Sequence, residues 1–324
     1  MIKFIEYLLK SVSCNSVAEA DALHLLRQLS AGGQVAADQS HPLLQRHAST
    51  STALRFVSSL GREDALMADH VLNGNPVVPG VAYLEMARAA WSLLSAPRAD
   101  ASASIIVLKH VVWPRSLVMA EPRDVAIELS VDADGVADFR VFPVGDGSAD
   151  PTACAQGAVF LAAAPARHET CDIEDLRSRC RNPLDVAEFY STFESMGLAY
   201  GPVYRSVQSL EAGIDSAGRR FVLARLRLAP DHRPGSAQCV LHPGFMDGAL
   251  QACLGLSLTQ MRTEDGSRGT LTPAVPFALD RLEVFGPTGD SGWAYVRSSS
   301  PGDDVARSGI GKLDIDVCDD DGRV

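Results

Sequence analysis

Two segments of this chain are long enough for helices yet apolar around nearly their whole circumference: 79–94 (PGVAYLEMARAAWSLL) and 243–261. A helix with no polar face has to be covered on every side. Both segments open alike, with Pro79-Gly80-Val81 and Pro243-Gly244-Phe245, and a histidine stands upstream each time, His70 and His242. Proline suits the first turn because the donor it lacks would be left unpaired there anyway. The two openings lie about half the 324-residue chain apart. This spacing predicts an internal duplication, two halves that each enclose one central helix.

The covering material is predicted to be β-structure. Residues 51–60, 103–113, 123–132, 137–143, 152–161, 205–214, 219–229 and 291–297 are rich in Val, Ile and Phe, and turns such as Asp134-Gly135 and Ala217-Gly218 lie between them. The fold class is therefore α+β, with antiparallel sheet dominant. Residues 184–196 read as a conventional amphipathic helix. Ahead of the halves, residues 1 to about 33 carry two short apolar stripes, Phe4-Ile5-Leu8-Leu9 and Leu23-Leu26-Leu29, with a capping box at Ser16 and Glu19 and a stop at Gly32-Gly33. This leader over 1–40 is either a fraying helical hairpin or a docking or linker element. The expected division is then 41–165 for the first half and 166–324 for the second.

Charge narrows the function. With 29 basic against 40 acidic residues the net charge is -11, which argues against a phosphate backbone as partner. The seven cysteines are odd in number and scattered, with no C-x-x-C pair, as expected of reduced thiols in the cytoplasm. No secretory signal and no bilayer-length apolar run is visible, so a soluble protein away from membranes is expected.

Candidate chemistry gathers at the two helix openings. Asp69-His70-Val-Leu-Asn-Gly74-Asn-Pro76-Val-Val-Pro79-Gly80 puts a histidine and a flexible glycine directly before a buried helix, whose first N–H groups can polarise a carbonyl held beside a base. Asp247 and Gln251 are four apart on one face of the second helix, among apolar or tiny neighbours. Burial raises the pKa of such a carboxyl and makes it a proton donor, with Gln251 as its orienter. The alternative is an ordinary first-turn Asp favoured by the helix dipole. Gly197-Leu198-Ala-Tyr200-Gly201-Pro202-Val-Tyr204 reads as a tight turn that either only reverses the chain or presents Tyr200 to a pocket. His232, Cys239 and His242 match no zinc spacing, so no metal is expected. Phosphate-loop, dinucleotide and nucleophile-elbow motifs are all missing, and no cofactor site is expected.

Taken together, three of these segments resemble the dehydratase domain of modular polyketide synthases. Its H-x-x-x-G-x-x-x-x-P is matched by His70, Gly74 and Pro79, its D-x-x-x-Q/H by Asp247 and Gln251, and its G-Y-x-Y-G-P-x-F by Gly197, Tyr200, Gly201 and Pro202. His41-Pro42-Leu43-Leu44 resembles the domain's usual start, and Val275-Pro276-Phe277 through Phe285-Gly286-Pro287 a further segment. The likeness covers about residues 41 to 324. Leu198 departs from the first Tyr of the third motif and Tyr204 from its final Phe. The leader resembles junction segments of assembly lines that lack built-in acyltransferases, the trans-acyltransferase kind.

The resemblance implies a double hot dog fold with one active site shared between the halves. His70 would remove the α-proton of a β-hydroxyacyl thioester and Asp247 would protonate the departing hydroxyl. Gln251 would steady Asp247, Tyr200 would line the pocket and the Gly80 amide would polarise the thioester carbonyl, with Gly74, Pro79 and Leu198 also shaping the substrate site. No cofactor is implied, because the substrate arrives on the phosphopantetheine arm of an acyl carrier protein. The implied partners are that carrier protein, neighbouring synthase domains and a second copy in a homodimer, with no nucleic acid and no membrane. Two alternatives share the resemblance: a dehydratase that also closes an oxygen heterocycle by oxa-Michael addition, which Leu198 leaves open, and a silent scaffold. The turn signal Asp319-Asp320-Asp321-Gly322 should introduce another strand, as in a fragment of a larger synthase.

Overall fold

Fifteen strands and seven helices are seen among the described residues, which in this computed structural model are 2–13, 22–23, 41–49, 54–94, 104–145, 151–166, 170–230, 238–260, 276–299 and 311–324. The strands are β1 (Arg46–His47), β2 (Leu54–Leu60), β3 (His70–Leu72), β4 (Asn75–Pro76), β5 (Ser104–Val112), β6 (Arg123–Val131), β7 (Ala137–Pro143), β8 (Ala155–Ala163), β9 (Cys180–Leu184), β10 (Leu198–Tyr200), β11 (Val207–Ile214), β12 (Arg220–Arg227), β13 (Ala278–Val284), β14 (Ser291–Ser298) and β15 (Leu313–Cys318). The helices are α1 (Ile2–Ser13), α2 (Ala65–Ala68), α3 (Gly80–Leu94), α4 (Ile173–Arg179), α5 (Val186–Ser195), α6 (Pro243–Gln251) and α7 (Cys253–Gln260). Among the described residues no helix is long and apolar enough to cross a membrane.

The strands form a seven-stranded sheet in the order β1-β2-β6-β7-β8-β5-β13, a five-stranded sheet in the order β15-β14-β12-β11-β9, and a small sheet β10-β3-β4. All pairings are antiparallel. The first sheet packs around α3 and the second around α6 and α7. Every residue from Val81 to Trp91 is buried, as the all-round apolar pattern of this helix requires. Tyr83, Trp91 and Phe139 sit in the first core, and Phe189, Leu226 and Phe245 in the second. Each such side chain contributes about 1.5–3 kcal/mol through the apolar surface it removes from water. Leu241 and Met246, from the second half, lie in the first core, so the two cores meet where α6 begins.

The structure corrects the sequence reading in several places. The second central helix is not continuous over 243–261: it ends at Gln251 and resumes at Cys253. The chain tightens there through a bond from the Gly255 N–H to the Ala252 carbonyl, a three-residue spacing that interrupts the α-helical ladder. Gly255 itself fits closely, since a Cβ there would lie 3.0 Å from the Val222 side chain. Strands β1, β3, β4, β9, β10, β13 and β15 and helices α2 and α4 were not anticipated, most being too short or too polar to show a period. Leader helix α1 is seen, whereas the capping box at Ser16 and Glu19, the stop at Gly32-Gly33 and most of the Leu23-Leu26-Leu29 stripe lie outside the described residues.

Helix α6 lies flush on residues 203–206. A Cβ on Gly244 would run into the Val203 carbonyl oxygen and one on Gly248 into the Ser206 hydroxyl, which donates to the Gly244 carbonyl at 2.8 Å. Gly244→Ala should therefore lower unfolding stability by about 1–3 kcal/mol, the cost of forcing extra volume into a packed contact. An unchanged denaturant midpoint would show that this contact is loose.

Candidate active site

The segment that carries His70 is bound edge to edge to a segment of the other half. β3 pairs with β10 so that His70 faces Tyr200 and Leu72 faces Leu198 in register. β3 and β4 are joined by Asn73 and Gly74, whose φ values of 50° and 79° suit the two central positions of a type I′ hairpin turn. Three backbone donors close the pairing: Asn73 N–H to the Gly197 carbonyl at 2.7 Å, Gly201 N–H to the Asp69 carbonyl at 2.8 Å, and Val203 N–H to Asp69 Oδ2 at 2.8 Å. A Cβ on Gly201 would collide with the Asp69 carboxylate, which is why the Tyr-Gly-Pro segment can come down so close.

His70 is held by rings. Its imidazole makes edge contacts with Tyr200, 5.5 Å between centroids, and Tyr204, 5.2 Å. The Tyr204 hydroxyl donates to the Leu66 carbonyl at 2.7 Å and so anchors the turn that leads into His70. Nδ1 of His70 is buried without a hydrogen-bond partner among the described residues.

Asp247 comes to this place from α6. Both Asp247 and Gln251 are buried, and Gln251 Nε2 donates to Asp247 Oδ2 at 2.7 Å and to the Tyr204 carbonyl at 2.9 Å. One amide thus fixes the carboxyl against the residue that packs on His70. Burial pushes the Asp247 carboxyl above the usual carboxylate range, by more than the nearby His70 and the Gln251 hydrogen bond draw it down. Burial and the neighbouring Asp247 likewise push the Tyr200 hydroxyl well up, so it stays a neutral donor.

The remaining expected residues divide. Pro79 and Gly80 stand at the start of α3, where the Trp113 indole donates to the Gly80 carbonyl at 3.1 Å and a Cβ on Gly80 would lie 3.2 Å from the indole nitrogen. The first N–H groups of that helix have no partner within it. Leu198 is on the same face of β10 as Tyr200 and packs on the second core. Gly74 lies apart from them, in the exposed hairpin turn, and its part is conformational. Of the weighed zinc residues, His232 lies outside the described residues.

A second polar cluster was not foreseen. His41, Glu85 and Cys239 are buried with potential ligand atoms within 4.8 Å of one another. The Glu85 oxygens, however, already accept from His41 Nε2, Arg88 and the Val240 and Leu241 amides, and His41 Nδ1 accepts from the Leu43 N–H at 3.1 Å. These atoms are satisfied as an ion-pair network. The available signal was Glu85 and Arg88 themselves, two charges three apart in an otherwise apolar helix.

Comparison with known proteins decides what this arrangement belongs to. The family model described as polyketide synthase dehydratase domain matches residues 41–143, and that described as polyketide synthase dehydratase N-terminal domain matches 168–324. The chain belongs to the polyketide synthase dehydratase family. It is 34% identical over 286 residues to polyketide synthase PksN of Bacillus subtilis, covering 88% of this chain and 5% of that one. It is 36% identical over 290 residues to polyketide synthase ThaG of Burkholderia thailandensis, covering 87% and 4%. The chain therefore spans only a small part of the curated relatives it matches. Among solved structures, a trans-AT polyketide synthase dehydratase domain from Brevibacillus brevis superposes with a TM-score of 0.76 at 34% identity, over 87% of this chain and 94% of that one. The dehydratase domain from the CurK module of Curacin polyketide synthase gives 0.73 at 24% identity, over 87% and 94%. The double hot dog that the resemblance implies is the fold found, and the family is the one the motifs resemble.

The raised pKa of Asp247 has a sign that stability can report. The native protein holds this proton to a higher pH than the unfolded chain does. The stabilisation is complete below about pH 4, the ordinary carboxylate value, and is lost as pH rises through the native pKa. Asp247→Asn, neutral at every pH, should melt a few degrees above the parent at pH 8 and lose that advantage toward pH 4. A variant less stable than the parent at pH 8 would mean that burial is not the dominant influence on this carboxyl.

Proposed function

We propose that this domain removes water from a β-hydroxyacyl thioester, carried on the phosphopantetheine arm of an acyl carrier protein, to give the α,β-unsaturated thioester during polyketide chain elongation. The observation that carries this reading is the meeting of His70, from the first half, with a buried and proton-retaining Asp247 from the second. In this reading residues 41–165 supply the base and 166–324 the acid. The similarity to polyketide synthases PksN and ThaG and to a trans-AT dehydratase domain supports a place in an assembly line of the trans-acyltransferase kind.

His70 Nε2 takes the proton from the α-carbon, and the start of α3 at Gly80 stabilises the negative charge that develops on the thioester oxygen. Oδ2 of Asp247 is occupied by Gln251, so Oδ1 carries the proton given to the β-hydroxyl, whose C–O bond breaks as the double bond forms. Water leaves, and the cycle closes when the imidazolium proton returns to the carboxylate. The reaction is redox-neutral and uses no electron carrier. The two transfers assist each other: positive charge arriving on His70 draws the Asp247 pKa down as Asp247 has to release its proton. Tyr200 and Tyr204 keep the imidazole in place, while Pro79 and Leu198 shape the wall around it.

His70→Ala and Asp247→Asn are each expected to lower turnover by about 100-fold or more with the fold retained. The measurement is loss of one water from a β-hydroxyacyl carrier-protein thioester, read by mass spectrometry and by chromatography against the linear enoyl standard. Gln251→Ala should cost less, and its effect should largely vanish beside Asp247→Asn, since the two act as a unit. Turnover within a few-fold of the parent in either dyad variant removes that residue from the mechanism.

A further inference from the structure

Glu85 lies midway along α3 with its side chain fully buried, and its carboxylate is saturated by donors from three separate parts of the chain. Arg88, nearly one turn on, donates Nε to Oε2 at 2.8 Å and Nη2 to Oε1 at 2.9 Å. His41 Nε2 lies 2.9 Å from Oε1. The amides of Val240 and Leu241, from the other half, donate to Oε1 and Oε2, both at 2.9 Å.

Those two amides lie three and two residues ahead of α6, and the His242 N–H between them and the helix donates to the Thr288 hydroxyl at 3.0 Å. His242, the next residue, caps that helix through its ring, and Pro243 has no N–H to offer. Asp247 follows within the first turns, and nothing in α6 lets it slide, because Gly244 and Gly248 already rest on Val203 and Ser206. The place where the second half's helix starts is thus set by a carboxylate on the first half's helix. We propose that Glu85 is a positioning residue of this dehydratase site, holding the Val240 and Leu241 amides so that α6 presents Asp247 to His70. This rests on the dehydratase reading given above.

A carboxylate is needed for that task. Glutamine has the same shape but a single acceptor oxygen, and its NH2 would face an amide N–H or the Arg88 guanidinium, donor against donor. The charge also matches Arg88, which would otherwise be buried unpaired. Both side chains are buried, and neither is among the residues assigned to the substrate site. Displacing a proton donor by about 1 Å costs about 100-fold in rate even when the change lies far from the chemistry, so the loss should fall on kcat and not on KM.

Three measurements test this. In the parent protein, hydrogen exchange resolved to Val240 and Leu241 should show both amides protected, and exchange at the rate of open loops would overturn the proposal at once. Glu85→Gln should lower kcat by about 10- to 100-fold with KM within about twofold of the parent. Beside Asp247→Asn the same change should cost no more than about threefold, because the acid it positions is already gone. Should Glu85→Gln fail to fold with Arg88 left unpaired, Glu85→Gln with Arg88→Met removes that charge and carries the same expectations. A folded variant with parental kcat and only a lower melting temperature would overturn the proposal, as would a loss that multiplies in full with Asp247→Asn. If Asp247→Asn itself leaves turnover near the parent's, the dehydratase reading fails first, while the exchange measurement still decides whether Glu85 holds these amides.

Discussion

Antiparallel pairing between residues 70–72 and 198–200 crosses from one half of the molecule to the other, and the geometry of the site follows from it. A histidine on one hot dog and an aspartate on the other have no reason to meet unless the backbones that carry them are tied together. The strands are only three residues long, so the pairing needs support. It comes from the Asp69 carboxylate, the Gly197 carbonyl and the close approach that Gly201 allows. Ring contacts from Tyr200 and Tyr204 then fix an imidazole whose buried nitrogen finds no hydrogen-bond partner among the described residues.

Two buried carboxyls show how the same environment yields opposite chemistry. Burial raises the pKa of both Glu85 and Asp247. Around Glu85 the His41 and Arg88 donors outweigh it, so Glu85 ends below the ordinary range and stays charged. Asp247 receives only the Gln251 amide, and burial prevails. Supply of donors, with burial held alike, separates a carboxylate kept charged from a carboxyl whose pKa burial raises.

Much of this was legible in the sequence, because long elements announce themselves. The all-apolar helix openings at Pro79 and Pro243 and the alternating strands led to a duplicated α+β fold, and the motifs around His70, Asp247 and Gln251 carried the resemblance that implied a double hot dog with one shared site. The pairing of β3 with β10 was not legible, since three residues carry no usable period and the partners lie more than a hundred positions apart. Strand β9 contains Pro183 and Arg181, which read as loop, and it sits at the edge of its sheet, where a missing donor is tolerated. The break at Ala252 hides in a run whose apolar character never lapses. Glu85 and Arg88 were concealed by the helix they interrupt: burial masks a charge whose partners, His41 and Val240, are remote in the chain.

Strand β13, drawn from residues 278–284, closes the edge of the first sheet beside β5. During synthesis the first half therefore emerges from the ribosome with one long border unpaired, and it stays so until most of the second half has been made. An open border of backbone donors and acceptors invites another chain to dock there, and pairings this distant in sequence form slowly. The two halves, alike as they are, are thus not interchangeable pieces: only the second completes the first. A break in the chain between them would leave the earlier piece seeking its missing strand in its neighbours.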